Sequence, residues 1–102
     1  MGGLLNIKNK KMTIKEMIEN GTVLDVRTPA EFAGGHVANS VNIPLQELPA
    51  RLDEVKALKA PLVLCCASGG RSGMAEQMLA GQGFDCTNGG GWMEVNFHAT
   101  QN

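Results

Sequence analysis

At 102 residues, 43% of them hydrophobic, the chain is long enough for one domain with a single modest core and too short for two. A net charge of −1 gives no electrostatic case for nucleic acid or an anionic membrane, and no apolar run approaches the roughly 18 residues of a membrane span. Three cysteines, an odd number at spacings that suggest no disulfide framework, favour a reducing compartment.

Met1-Gly2-Gly3-Leu4-Leu5 has neither the charged n-region nor the long h-region of a signal peptide. Residues 1–11 read as a flexible N-terminal segment, residues 12–98 as a single domain and residues 99–102 as a tail. A cytoplasmic location is expected; a periplasmic one stays open should Met12 follow a removed leader.

Thr13 with Glu16 forms a capping box, and Ile14, Met17 and Ile18 share one helical face, with Gly21 as C-cap. Residues 22–26 read as a short buried strand. Thr28-Pro29-Ala30-Glu31 repeats the start signal for a brief helix that Gly34-Gly35 stops. Residues 41–43 make another short strand before Pro44. Leu48, Leu52, Val55 and Leu58 follow helical spacing until Ala60-Pro61 breaks it. The apolar run 62–66 is a strand, followed by a Gly-rich loop and a helix from Gly73 to about Gln82 with Ala75, Met78 and Leu79 on its buried side. Residues 84–87 read as the last strand and Asn88-Gly89-Gly90-Gly91 as a turn. Strands alternating with helices imply an α/β fold, a small, mostly parallel sheet flanked by helices on both faces.

Leu62-Val63-Leu64-Cys65-Cys66-Ala67-Ser68-Gly69-Gly70-Arg71-Ser72 carries the chemistry. A strand that feeds a tight loop and a helix start is a backbone device for holding an anion. The loop amides point inward, the helix N-terminus adds partial positive charge and Arg71 adds a full one. A thiol at the head of that cradle is expected below its ordinary pKa of about 8.5, which makes it a nucleophile beside an anion pocket. Ligands of such sheets gather at the carboxyl ends of the strands, where Asp25-Val26-Arg27 is expected on the same rim.

Leu24-Asp25-Val26-Arg27-Thr28-Pro29-Ala30-Glu31-Phe32, then Gly35-His36-Val37 and Val41-Asn42-Ile43-Pro44, resembles the upstream signature of rhodanese domains. Cys66-Ala67-Ser68-Gly69-Gly70-Arg71-Ser72 resembles the active-site loop of the same family, and the likeness runs from about Val23 to Trp92. The chain departs from the family in three places. Ala38-Asn39-Ser40 stands where Pro-Gly-Ala is usual, an apolar residue is missing before the paired glycines, and Val95 stands where Trp is common.

The resemblance implies a rhodanese-like fold and a single-domain sulfurtransferase that needs no cofactor. The Cys66 thiolate would take the outer sulfur of thiosulfate or a persulfide and pass it to cyanide or a thiol, by covalent catalysis through a Cys66 persulfide. The amides of Ala67, Ser68, Gly69, Gly70, Arg71 and Ser72 would hold the terminal sulfur's charge. Arg71 would grip the donor's anionic end or hold the loop's shape, and Gly69 and Gly70 would allow the turns. The Ser68 and Ser72 hydroxyls add hydrogen bonds, a helix-start role for Ser72 being an equal alternative. Expected partners are a small sulfur-containing anion or persulfide donor and a thiol acceptor or small redox protein, with the chain a monomer and neither nucleic acid nor membrane involved.

Two other functions stay open. Counted from Cys65 the loop is C-x5-R-S, the spacing of cysteine phosphatases and arsenate-type chemistry, although Leu64 stands where those enzymes usually carry His. A non-catalytic binding module or a persulfide carrier is the other. Asp25, Arg27 and His36 are candidate supports of the site, with a structural ion pair or hydrogen-bonded clamp near the loop base preferred for Asp25 and Arg27 over a part in tuning it. His36 reads as a hydrogen-bonding strut, His98 as a solvated tail residue, Cys86 as a small core residue and Trp92 as packing. No spacing supports a metal site.

Overall fold

Residues 12–101 are described by a computed structural model; the expected flexible segment, residues 1–11, lies outside the described residues. Helix α1 (Ile14–Asn20) starts at the expected box, with Thr13 Oγ1 accepting from the Glu16 N–H at 3.1 Å and the Glu16 carboxylate accepting from the Thr13 N–H at 2.8 Å. Strand β1 (Thr22–Asp25) follows, then α2 (Pro29–Ala33), capped by Thr28 and Glu31 in the same way, and β2 (Val41–Asn42). The expected helix around residues 48–58 is divided into a 3-10 turn, Leu45–Arg51, and α3 (Leu52–Lys56). Pro49, inside the first part, has no N–H to give an i→i−4 bond. Strand β3 (Leu62–Cys66), helix α4 (Gly70–Gly81), strand β4 (Cys86–Gly91) and helix α5 (Trp92–Ala99) complete the described residues.

The strands lie in the order β2-β1-β3-β4, all parallel. Because side chains alternate along a strand, the sheet has two apolar faces. Leu24, Val26, Leu62, Leu64 and Cys66 pack with Leu48, Val55, Ala75 and Leu79, from the 3-10 turn, α3 and α4. On the other face Val23, Val63 and Cys65 pack with Val95 of α5 and with Ile14, Met17 and Ile18 of α1. Both faces are thus covered by helices, as a parallel sheet requires. Among the described residues no helix is long and apolar enough to cross a membrane.

Asn88-Gly89-Gly90-Gly91 is not the expected turn: these residues are the end of β4. The pairing runs Leu64 with Asn88, then Cys65 with Gly90, so Gly89 is the extra residue of a bulge. A Cβ on Gly89 would lie 2.7 Å from Val95 Cγ2 and 2.8 Å from Val63 Cγ1, so glycine here serves close packing rather than chain reversal. Helix α5 follows directly on these glycines, and its N-cap, Gly91, has no side-chain oxygen to mark a helix start in the sequence. His98 therefore belongs to the last turn of α5, edge-on to Phe97, and not to a polar tail. At Ala38-Asn39-Ser40, Asn39 takes φ 68 in a turn closed by the Ser40 N–H on the Val37 carbonyl at 3.0 Å. Asn tolerates that conformation where other side chains clash, so it can stand in for a glycine.

A buried ion pair ties the carboxyl edge of the sheet together. Asp25 is fully buried and Arg27 is 4% exposed, with Arg27 Nη2 2.7 Å from Asp25 Oδ2 and Nε 2.9 Å from Oδ1. Arg27 also donates to the Gly35 carbonyl at 2.7 Å, and its guanidinium lies over the Trp92 ring at 4.9 Å. Asn42 Nδ2 donates to the carbonyls of both Asp25 and Arg27, at 3.0 and 2.9 Å, which pins β2 to this corner.

Two substitutions test this architecture by urea denaturation. Gly89→Ala is expected to lower stability by about 1–3 kcal/mol through overpacking, whereas Gly81→Ala, with nothing near its Cβ, should raise it by up to about 1 kcal/mol. Arg27→Leu leaves the Asp25 carboxylate buried without its partner and is expected to cost about 3–5 kcal/mol.

Candidate active site

The end of β3 and the start of α4 build the site. Neighbouring strand residues point to opposite faces, so Cys65 and Cys66 are separated by the sheet itself. Cys66 lies at the carboxyl end of β3, where the chain turns back over its sulfur. Sγ accepts a hydrogen bond from the Gly69 N–H at 3.0 Å and lies 3.4 Å from Ser72 Oγ. Cys66 is only 1% exposed, and burial opposes its ionisation; the Ser72 hydroxyl and the amides of Ser72, Gly69 and Ser68 outweigh that and bring the thiol down to about 7.

Cys65 has the opposite environment. Burial, and then the negative charge of Asp25, push its thiol up to about 12. Cys86 is half-buried with its thiol raised, first by burial, in keeping with a core role. All three cysteines are free.

The turn depends on Gly69, whose φ of +104 caps α4. Gly70 needs no such freedom, because it is already the first residue of the helix, three residues earlier than expected. Arg71 and Ser72 consequently sit in the first turn of α4. Ala67, Ser68 and Gly70 form the exposed lip. Arg71 points at α2, where Nη1 and Nη2 hold the two carboxylate oxygens of Glu31 at 2.8 and 2.9 Å. The Arg71 guanidinium and the Thr28 N–H keep the Glu31 carboxyl down at about 2. Of the two roles expected for Arg71, shaping the loop is the one this geometry displays.

Asp25 and Arg27 form the buried clamp already described, at the base of the site. His36 is exposed, stacks on Phe32 at 3.8 Å and has Nδ1 2.7 Å from the Phe32 carbonyl, the contacts of a strut. Trp92 packs against Arg27, as expected of a packing residue.

Two residues that hold the loop were not read as site residues. Glu31 was legible only as the capping partner of Thr28, although a loop arginine needs a counter-charge and this acid lies in the same upstream motif. Asn88 gave no signal, because its setting was read as a turn. It accepts from Ser72 Oγ at 2.7 Å and donates to the Gly69 carbonyl at 3.0 Å, bracing both ends of the turn.

The family model described as Rhodanese-like domain matches residues 11–96. The chain is 45% identical over 65 residues to the uncharacterized protein YqhL of Bacillus subtilis, covering 64% of this chain and 49% of that one. It is 38% identical over 71 residues to the thiosulfate sulfurtransferase GlpE of Ectopseudomonas mendocina, covering 69% and 64%. The chain thus spans less than two thirds of the length of these relatives. The crystal structure of a rhodanese-related protein from Thermoplasma volcanium superposes with a TM-score of 0.72 at 30% identity, over 89% of this chain and 93% of that one. Family match, all-parallel sheet and loop together show that this chain belongs to the rhodanese-like domain family.

Proposed function

We propose that the chain is a sulfurtransferase that carries a sulfane sulfur on Cys66. The observation that supports this most directly is the hydrogen-bonded sulfur itself. Cys66 Sγ lies in a turn whose amides and hydroxyl favour its charged form, at the N-terminus of a twelve-residue helix. In the first half-reaction the Cys66 thiolate attacks the outer sulfur of a small sulfur-containing anion or a persulfide. A new S–S bond forms to Cys66, the donor's own S–S bond breaks, and the electron pair leaves with the donor remnant, sulfite in the case of thiosulfate. An acceptor nucleophile, cyanide or a thiol such as that of a small redox protein, then attacks the outer sulfur and returns the electron pair to Cys66.

The same amide nitrogens suit the negative charge on the terminal sulfur of the persulfide, as an oxyanion hole suits oxygen. The bidentate contact to Glu31 offsets the charge of Arg71, so the lip holds a neutral pair and not an unmatched cation. That arrangement supports donors recognised mainly through the backbone.

The phosphatase reading required Cys65 to lead the loop. Its side chain lies on the opposite face of the sheet with its thiol held at about 12, which counts against a nucleophile at neutral pH. A persulfide carrier remains compatible with the same Cys66 chemistry, and turnover with a small acceptor distinguishes enzyme from carrier.

Mass spectrometry after thiosulfate treatment tests the proposal. A gain of one sulfur is expected, lost in Cys66→Ser and kept in Cys65→Ser; uptake that follows Cys65, or none at all, overturns it. The rate of sulfur uptake should rise with pH through a single ionisation near 7, as the thiol becomes thiolate, and level off above it.

A further inference from the structure

Asn88, in the last strand, uses both the oxygen and the nitrogen of its carboxamide at the site. Nδ2 donates to the Gly69 carbonyl at 3.0 Å, which sets the orientation of the amide. Oδ1 then faces the Gly90 N–H at 2.9 Å and Ser72 Oγ at 2.7 Å. Ser72 has one hydroxyl proton and two acceptors in reach, Asn88 Oδ1 at 2.7 Å and Cys66 Sγ at 3.4 Å. A neutral thiol is a weak acceptor, so the amide oxygen holds the proton while the sulfur is protonated, and the serine oxygen turns its lone pairs towards the S–H. A thiolate is a far stronger acceptor, and the hydroxyl reaches it by rotation about the Cβ–Oγ bond.

We propose that Asn88 is a positioning residue for the Cys66 sulfur. Its amide oxygen competes with that sulfur for the hydroxyl proton of Ser72, so the hydroxyl points at Asn88 when the sulfur is neutral and at the sulfur when it is charged. Resting on the sulfur-transfer reading, this gives the hydroxyl two positions in a cycle. It faces the attacking thiolate and returns to Asn88 once Cys66 Sγ becomes the neutral inner sulfur of a persulfide. No proton is transferred by the rotation; the thiol proton itself leaves to solvent.

Ionisation of Cys66 then includes the loss of the Ser72–Asn88 bond, so Asn88 holds the thiol's pKa higher than an apolar residue would. The other charged or titratable groups around the site are Arg71 and Glu76 of α4, Glu31 of α2, Asp25 of β1 with Arg27 just beyond it, Cys65 of β3 and Glu94 of α5. None of them is altered in the variants compared.

The test is a pH titration followed by the ultraviolet absorbance of the thiolate, with the Cys66→Ser protein subtracted; the chain contains no tyrosine to interfere. Asn88→Leu, close to Asn in shape, removes the acceptor and also the donor to the Gly69 carbonyl, and is expected to lower the Cys66 pKa by roughly half a unit or more; the Ser72→Ala background separates the two losses. Ser72→Ala is expected to raise it, and Asn88→Leu in the Ser72→Ala background should add no shift. A rise with Asn88→Leu, no change, or an equal shift without the hydroxyl would overturn the proposal. Asn88→Ala removes the same acceptor without bulk and should shift the pKa in the same direction should the leucine variant fail to fold. A thiol that titrates as expected but takes up no sulfur overturns the sulfur-transfer reading and leaves the competition standing; uptake without the coupling does the reverse.

Discussion

The two-residue period of a single strand divides the chemistry of this protein. Along β3, Cys65 and Cys66 are adjacent in the chain yet face opposite layers of the molecule. One sulfur is enclosed by α1 and α5 with a carboxylate nearby, and burial raises its thiol. The other reaches the end of the strand just where the backbone turns over it, and hydrogen bonds to its sulfur lower the thiol despite its burial. Two identical side chains thus have their pKa values moved in opposite directions, one raised by burial and a nearby carboxylate, the other lowered by hydrogen bonds from a hydroxyl and backbone amides.

That division holds only while the turn keeps its shape, and the turn is braced from three sides. Gly69 supplies the left-handed residue that lets the chain pass from strand to helix. The carboxylate of Glu31 clasps Arg71 and links the first turn of α4 to α2. Asn88, brought close by the bulge at Gly89, holds the Gly69 carbonyl and Ser72. Beneath them the Asp25–Arg27 pair fastens the strand ends to the loop that follows α2. Apart from Gly69 the braces come from different parts of the chain, so the fold as a whole and not the loop alone holds the site.

Glu31 shows how one side chain serves two levels of structure. One carboxylate oxygen accepts from the Thr28 amide and closes the cap of a five-residue helix, and both oxygens meet the Arg71 guanidinium. A short helix that would be marginal alone is thereby made part of the wall around the sulfur. Such dual use hides the second contact in the sequence, because the capping role alone accounts for an acid at this position.

Local chemistry determined much of this protein directly from the sequence. The capping boxes at Thr13 and Thr28, the unbroken apolar run of β3, the αβ alternation, the strand–loop–helix around Cys66 and the Asp25–Arg27 pairing depend on residues close in the chain or on buried charge needing a partner. What the tertiary structure alone decided has a common cause, contact between segments far apart in sequence. Asn88-Gly89-Gly90-Gly91 has the composition of a turn, and only the approach of Val63 and Val95 makes it a bulged strand. The partner of Arg71 lies forty residues upstream and that of Ser72 sixteen downstream. The resemblance of the loop already pointed to Cys66, but the opposite shifts of the two neighbouring thiols come from the layers that cover each face, because a pKa is set by surroundings and a linear pattern contains only the residues themselves.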